Sequence, residues 1–64
     1  MIRQIFTDTI TSVFQSETAL VVDTEFRGNP KRWYCKKLTD TELTEFITKI
    51  ETEQIIVLDL KEGK

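Results

Sequence analysis

The stretch LVVDTEFRGNPKRWYCKKLTDTELTEFITKI, residues 20–50, changes its hydrophobic period once, from two to about 3.6 residues, and that change decides the fold class. In its first part Leu20, Val22, Thr24 and Phe26 alternate with Val21, Asp23, Glu25 and Arg27, the pattern of a half-buried strand. Arg27-Gly28-Asn29-Pro30-Lys31 supplies turn chemistry: glycine and asparagine tolerate positive φ, and proline cannot donate to a ladder. A second strand is expected from Arg32 to about Lys37, with Trp33 and Cys35 on one face and Tyr34 and Lys36 on the other. The alternation leaves open which face is the inner one.

The helical part begins with a Thr-x-x-Glu capping box, Thr39 as N-cap and Glu42 as its partner, flanked by Leu38 and Leu43 at the staple positions. Asp40 and Glu42 in the first turn suit the positive end of the helix dipole. Leu43, Phe46, Ile47 and Ile50 then form one apolar stripe, and the helix is expected from about Asp40 to Glu51.

Working outward, Gln54 to Leu60 reads as a closing strand. Ile56, Leu58 and Leu60 share one face, and Ile55 and Val57 make the other apolar too, which hints at self-association. Residues 1–16 are ambiguous: Ile2, Phe6, Ile10, Val13 and Phe14 fit a helical stripe, while Ile10, Ser12 and Phe14 alternate. Extended structure is expected in the second half of that segment. The expected architecture is α+β: a small antiparallel sheet of hairpin and closing strand with one helix packed on it, paired across a two-fold axis. One domain spans 1–64, with a ββαβ core over 18–60.

Composition narrows the function. A chain of 64 residues has a small core, and a single cysteine with no histidine excludes an internal disulfide and the usual zinc sites. It also lacks a histidine base and any Ser/His or Cys/His pair, so a binding protein is expected rather than an enzyme, with no metal and no cofactor. No apolar run reaches bilayer length and no leader pattern is present. The expected location is the cytoplasm, with no membrane partner.

Charge is segregated. Arg27, Lys31, Arg32, Lys36 and Lys37 lie in a block without a carboxylate, and Asp23, Glu25, Asp40, Glu42 and Glu45 flank it. The basic block surrounds Trp33 and Tyr34, the pattern of a single-strand nucleic-acid platform in which cations track phosphates and aromatics stack on bases. Its plainer reading is a core tryptophan beside solubilising lysines on an edge strand. The acidic residues read either as a solvated face or as a phosphate-like array presented to a DNA-binding protein.

The order of features from Thr18 to Leu60 resembles the small dimeric uracil-DNA glycosylase inhibitors encoded by protein-primed bacteriophages. The likeness rests on Val21-Val22-Asp23-Thr24-Glu25 followed by Gly28, on Trp33-Tyr34 with Lys36, on Leu38 entering a capped acidic helix, and on Ile55-Ile56-Val57-Leu58-Asp59-Leu60. The resemblance implies a homodimer that mimics DNA, occupies the cleft of a host uracil-DNA glycosylase, and captures the enzyme's minor-groove leucine in an apolar pocket between its two copies. Carried onto this chain, Leu43, Phe46 and Ile47 would line that pocket, and Asp23, Glu25, Glu42 and Glu45 would stand in for phosphates. Leu43 and Ile47 fall where the family has aromatic residues, and Trp33 replaces a carboxylate. The alternative expectation, set second because a net charge of -2 opposes direct nucleic-acid binding, is a dimeric single-stranded DNA-binding module using Arg27, Lys31, Arg32, Trp33, Tyr34 and Lys36.

Overall fold

The hairpin closes more tightly than the turn chemistry suggests. In the computed structural model, which describes residues 1–61, the strands Leu20–Phe26 and Asn29–Cys35 are joined by Arg27 and Gly28 alone. Both turn residues have positive φ, 54° and 79°, as a two-residue turn matched to strand twist requires. Asn29, Pro30 and Lys31 therefore belong to the second strand rather than the turn, and that strand begins three residues earlier than expected and ends at Cys35. Pro30 is tolerated because the closing pair Phe26 and Asn29 exchanges hydrogen bonds, so the backbone nitrogen at the next position faces the open edge.

The N-terminal segment is extended in both halves. In chain order the elements are β1 (Ile2–Phe6), a 3-10 turn (Thr7–Thr9), β2 (Ile10–Gln15), β3 (Leu20–Phe26), β4 (Asn29–Cys35), α1 (Asp40–Thr52) and β5 (Ile55–Asp59). The architecture is α+β, with two antiparallel sheets in place of the single expected one: β1 with β5, and β2-β3-β4. The closing strand thus takes the N-terminal strand as its main partner. A bridge between Cys35 and Leu60, with the Lys36 N–H donating to the Asp59 carbonyl at 3.0 Å, ties the two sheets together.

The inner faces of the sheets meet over Ile5, Leu20, Val22, Cys35, Ile56 and Leu58, which form the buried core. Burying a side chain of this size stabilises by about 1.5–3 kcal/mol, so these few residues carry most of the driving force. Trp33 and Cys35 are on the inner face, as Val22 and Leu20 are opposite them in register. Val21, on the outer face, is nonetheless buried, flanked in register by Phe14 on one side and Tyr34 on the other.

The helix spans Asp40–Thr52 with the capping box complete. The Glu42 N–H donates to Thr39 Oγ1 at 3.2 Å and the Thr39 N–H donates to Glu42 Oε1 at 3.0 Å. Leu43, Phe46 and Ile50 pack on the core from outside, whereas Ile47 lies off the contact and is exposed. Thr44, Thr48 and Thr52 each donate to the carbonyl four residues back, a ladder that occupies three of the chain's ten threonines.

One clamp positions the helix. Gln15, at the end of β2, donates through Nε2 to the Leu38 carbonyl at 3.1 Å and accepts from the Leu38 N–H through Oε1 at 2.9 Å. Gln15 and Cys35 flank Leu20 in register, so the chain leaving β4 crosses past the start of β3 to reach this amide. Leu38 is thereby fixed one residue before the N-cap.

Candidate functional site

The two-stranded sheet is too narrow to cover the whole inner face of the long hairpin. Register places Val22 with Trp33, Thr24 with Lys31 and Phe26 with Asn29, all on the inner face, and beyond Trp33 that face opens to solvent. The result is a mouth between the sheets lined by Arg3, Ile5 and Phe6 from β1 and by Phe26, Lys31 and Trp33 from the hairpin. Phe26 is 57% exposed and Phe6 60%.

Trp33 forms the floor. Its indole N–H donates to Thr24 Oγ1 at 3.0 Å, and Thr24 is itself buried, so this bond satisfies two polar groups and fixes the ring. Two cations lie over the indole, the Arg3 guanidinium carbon 5.1 Å and Lys31 Nζ 4.9 Å from the ring centre. Arg27 lies 5.1 Å over Phe26 at the hairpin tip. Such stacking is worth about 0.5–1 kcal/mol at exposed positions and holds cations beside aromatic rings. Arg3, Arg27 and Lys31 make no ion pair among the described residues, where the ion pairs are Arg32 with Asp23 and Lys36 with Asp59.

The basic residues of the hairpin therefore divide. Lys31 and Trp33 come together at the mouth, and Arg27 lies beside it over Phe26 at the hairpin tip. Arg32 and Tyr34 lie on the opposite face of the sheet, and Lys36 is 3.8 Å from Asp59. Arg32 binds the Asp23 carboxylate through two bonds of 2.7 and 3.0 Å and also lies over the Phe14 ring. The Arg32 hydrogen bond holds the Asp23 carboxyl below its usual range and raises the guanidinium in turn.

The carboxylates divide as well. Asp23 and Glu25 border a shallow depression with Thr11, Pro30 and Arg32. Glu42 and Glu45, joined by Glu53, border a different groove between α1 and β5, whose floor is Leu38, Phe46 and Ile55 to Val57. Of the three residues expected to form an apolar pocket, Phe46 lines this groove. Leu43 rests on the chain's own core and Ile47 points away from it. Cys35 is buried beside Asp59, and burial with that nearby charge pushes its thiol up to about 11, out of the reactive range.

Arg3, Phe6 and Phe26 are the site residues that sequence reasoning missed. A signal existed for Phe26: the apolar alternation of its strand runs on to the turn, farther than a small sheet can cover. None existed for Arg3 and Phe6, whose position depends on pairing with a strand some fifty residues away. No family model, curated protein or solved structure matches this chain. No helix among the described residues is long and apolar enough to cross a membrane.

Proposed function

We propose that this protein is a cytoplasmic single-stranded nucleic-acid-binding module, without enzymatic activity of its own, whose site is the mouth between the two sheets. The observation that carries this reading is the interleaving of Phe6, Phe26 and Trp33 with Arg3, Arg27 and Lys31, none of these cations being paired with a carboxylate among the described residues. Aromatic faces stack on bases of any identity while the cations follow the phosphates. The hairpin tip adds support. Arg27 adopts a φ of 54°, where a non-glycine residue costs roughly 1–2 kcal/mol and asparagine costs less, so a cation is held there against local preference. Anisotropy of a labelled single-stranded oligonucleotide tests the reading. Phe26→Ala is expected to weaken binding by about tenfold, at the lower end of base-stacking energies, and equal binding by wild type and variant would contradict it.

A second reading, inhibition of a host uracil-DNA glycosylase by DNA mimicry, is favoured by one specific observation. The groove between α1 and β5 has an apolar floor containing Phe46 and Ile55, and it is rimmed by Glu42, Glu45 and Glu53 with only Lys49 opposing them. Carboxylates around an apolar recess are what capture of a cleft-inserted leucine requires. In this reading the groove replaces Leu43 and Ile47, and Asp23 and Glu25 take no part. A uracil-excision assay with stoichiometric protein decides it: inhibition that Phe46→Ala relieves supports the groove, and undiminished excision removes the reading.

A further inference from the structure

The sheet edges of this molecule are protected unequally. The outer edge of β2 has an irregular register between Ile10 and Ser12, and its end is held to Leu38 by Gln15. The outer edge of β4 carries Pro30, and the strand holds two cations, Lys31 and Arg32. Bulges, prolines and charges are the usual means of blunting an edge against another chain. β1 has neither bulge nor proline, and only its shortness and one charge blunt it. Its single charge, Arg3, turns inward over Trp33.

Its backbone is also oriented for pairing. The Thr7 N–H donates to the Gln54 carbonyl and the Leu60 N–H donates to the Met1 carbonyl, both at 2.8 Å. In an antiparallel ladder this alternation directs the odd-numbered residues of β1 toward β5 and leaves Ile2, Gln4 and Phe6 to turn their N–H and C=O groups to the open edge. The same three residues alternate with the buried Ile5, in register with Asp59, Val57 and Ile55, and at the end of the strand Phe6 also reaches the rim of the mouth. Ile2 is 64% exposed and Val57 54%.

We propose that β1 pairs with β1 of a second copy, antiparallel, about a two-fold axis at Gln4. In that register Ile2 meets the partner's Phe6 and Gln4 meets the partner's Gln4, so each half of the edge completes the other. About six backbone hydrogen bonds join the copies. The two small sheets become one, ordered β5-β1-β1-β5, with a continuous apolar outer face. The inner face gains as well: Arg3 lies opposite the partner's Ile5, which brings a second cation to the rim of each mouth. The exposed area fits a missing partner. The chain exposes 4843 Å², whereas a compact monomer of its mass exposes about 4,250 Å². The excess, about 600 Å², is close to the roughly 800 Å² that each side of a standard interface buries. β1 lies outside the stretch that resembles the glycosylase inhibitors; its pairing shares Arg3 and Phe6 with the mouth, and sedimentation without oligonucleotide tests it apart from the nucleic-acid reading.

Sedimentation velocity on the full chain, with a Gln4 charge swap, tests the register. Wild type is expected to dimerise below about 100 µM. Gln4→Lys and Gln4→Glu are each expected to weaken self-association about tenfold, because like charges then face each other at the axis. An equimolar mixture of the two is expected to form a heterodimer tighter than either variant alone. Gln4 is exposed and the β1–β5 alternation turns its backbone groups away from β5, so circular dichroism of the variants should match wild type. A wild type that stays monomeric at that concentration overturns the proposal. So does a dimer that both substitutions leave intact, or a mixture no tighter than its components.

Discussion

Replacing Gln15 by methionine removes the clamp on Leu38 while keeping the length and volume of the side chain. The structure gives Gln15 two hydrogen bonds, of 3.1 and 2.9 Å, to the carbonyl and amide of one half-buried residue. Each bond contributes about 1 kcal/mol, and an orphaned partner costs somewhat more when water cannot replace it. Leu38 is partly accessible, so the lower figure applies to both, and the loss is about 2 kcal/mol. For a domain of this size 1 kcal/mol moves the melting temperature by about 4–8 °C, which predicts a fall of about 10–15 °C for Gln15→Met. Gln15→Glu keeps the acceptor for the Leu38 N–H but loses the donor and sets a carboxylate against a carbonyl, so it should fall at least half as far. Thermal unfolding followed by circular dichroism measures both, and hydrogen exchange at the Leu38 amide reports the clamp directly. A Gln15→Met protein that melts within about 3 °C of wild type, well under the shift expected for one lost bond, would falsify the claim that this amide seats the helix.

Three further outcomes follow from the same geometry. Thr39→Ala, which removes one half of the capping box, should cost about 1 kcal/mol in chemical denaturation and fray the first turn of α1. Arg27→Asn should stabilise the hairpin by roughly 0.5–1 kcal/mol, since asparagine followed by Gly28 accepts the two positive φ values more readily; the same change should weaken oligonucleotide binding, and stabilisation without that loss would remove Arg27 from the site. Cys35 should resist thiol reagents at pH 8 in the native protein and react on unfolding. Its folded pKa of about 11 exceeds the ordinary thiol value, so the stability it contributes is complete below the unfolded pKa and is lost as pH rises through the folded one. Rapid labelling of native protein at pH 8 would contradict the burial.

The parts of this fold that were legible in the sequence are those set by neighbours in the chain. The capping box, the staple leucines and the helix period involve residues three or four apart, and the helix begins at Asp40 as they imply. The alternation of Leu20 to Phe26 likewise identified a strand with the correct inner face. Illegible features depend on distant pairing. Residues 2–6 extend because β5 receives them, and no local signal distinguishes that outcome from a helical stripe containing Ile2 and Phe6. The hairpin shows an intermediate case. Once the turn is known to be Arg27 and Gly28, register alone puts Trp33 opposite Val22 and sends Arg32 and Tyr34 to the other face. The candidate residues are separated accordingly: Arg32 binds Asp23 and, with Tyr34, faces away from Trp33, and Lys36 lies near Asp59; on the helix, Leu43 seals its own core and Ile47 is exposed. The apolar closing strand resolves the same way. Ile56 and Leu58 fill the core and Ile55 and Val57 remain outside beside β1.

Trp33 is the only tryptophan, and it forms the floor of the mouth, so its own fluorescence reports on the site without a label. The decisive measurement is titration of the protein with a single-stranded oligonucleotide at several salt concentrations, read by that emission. The account predicts saturable quenching whose binding constant falls with salt at a log–log slope of about −2, the value for three phosphate contacts on a single strand. Emission unchanged at saturating oligonucleotide, or quenching indifferent to salt, would contradict it.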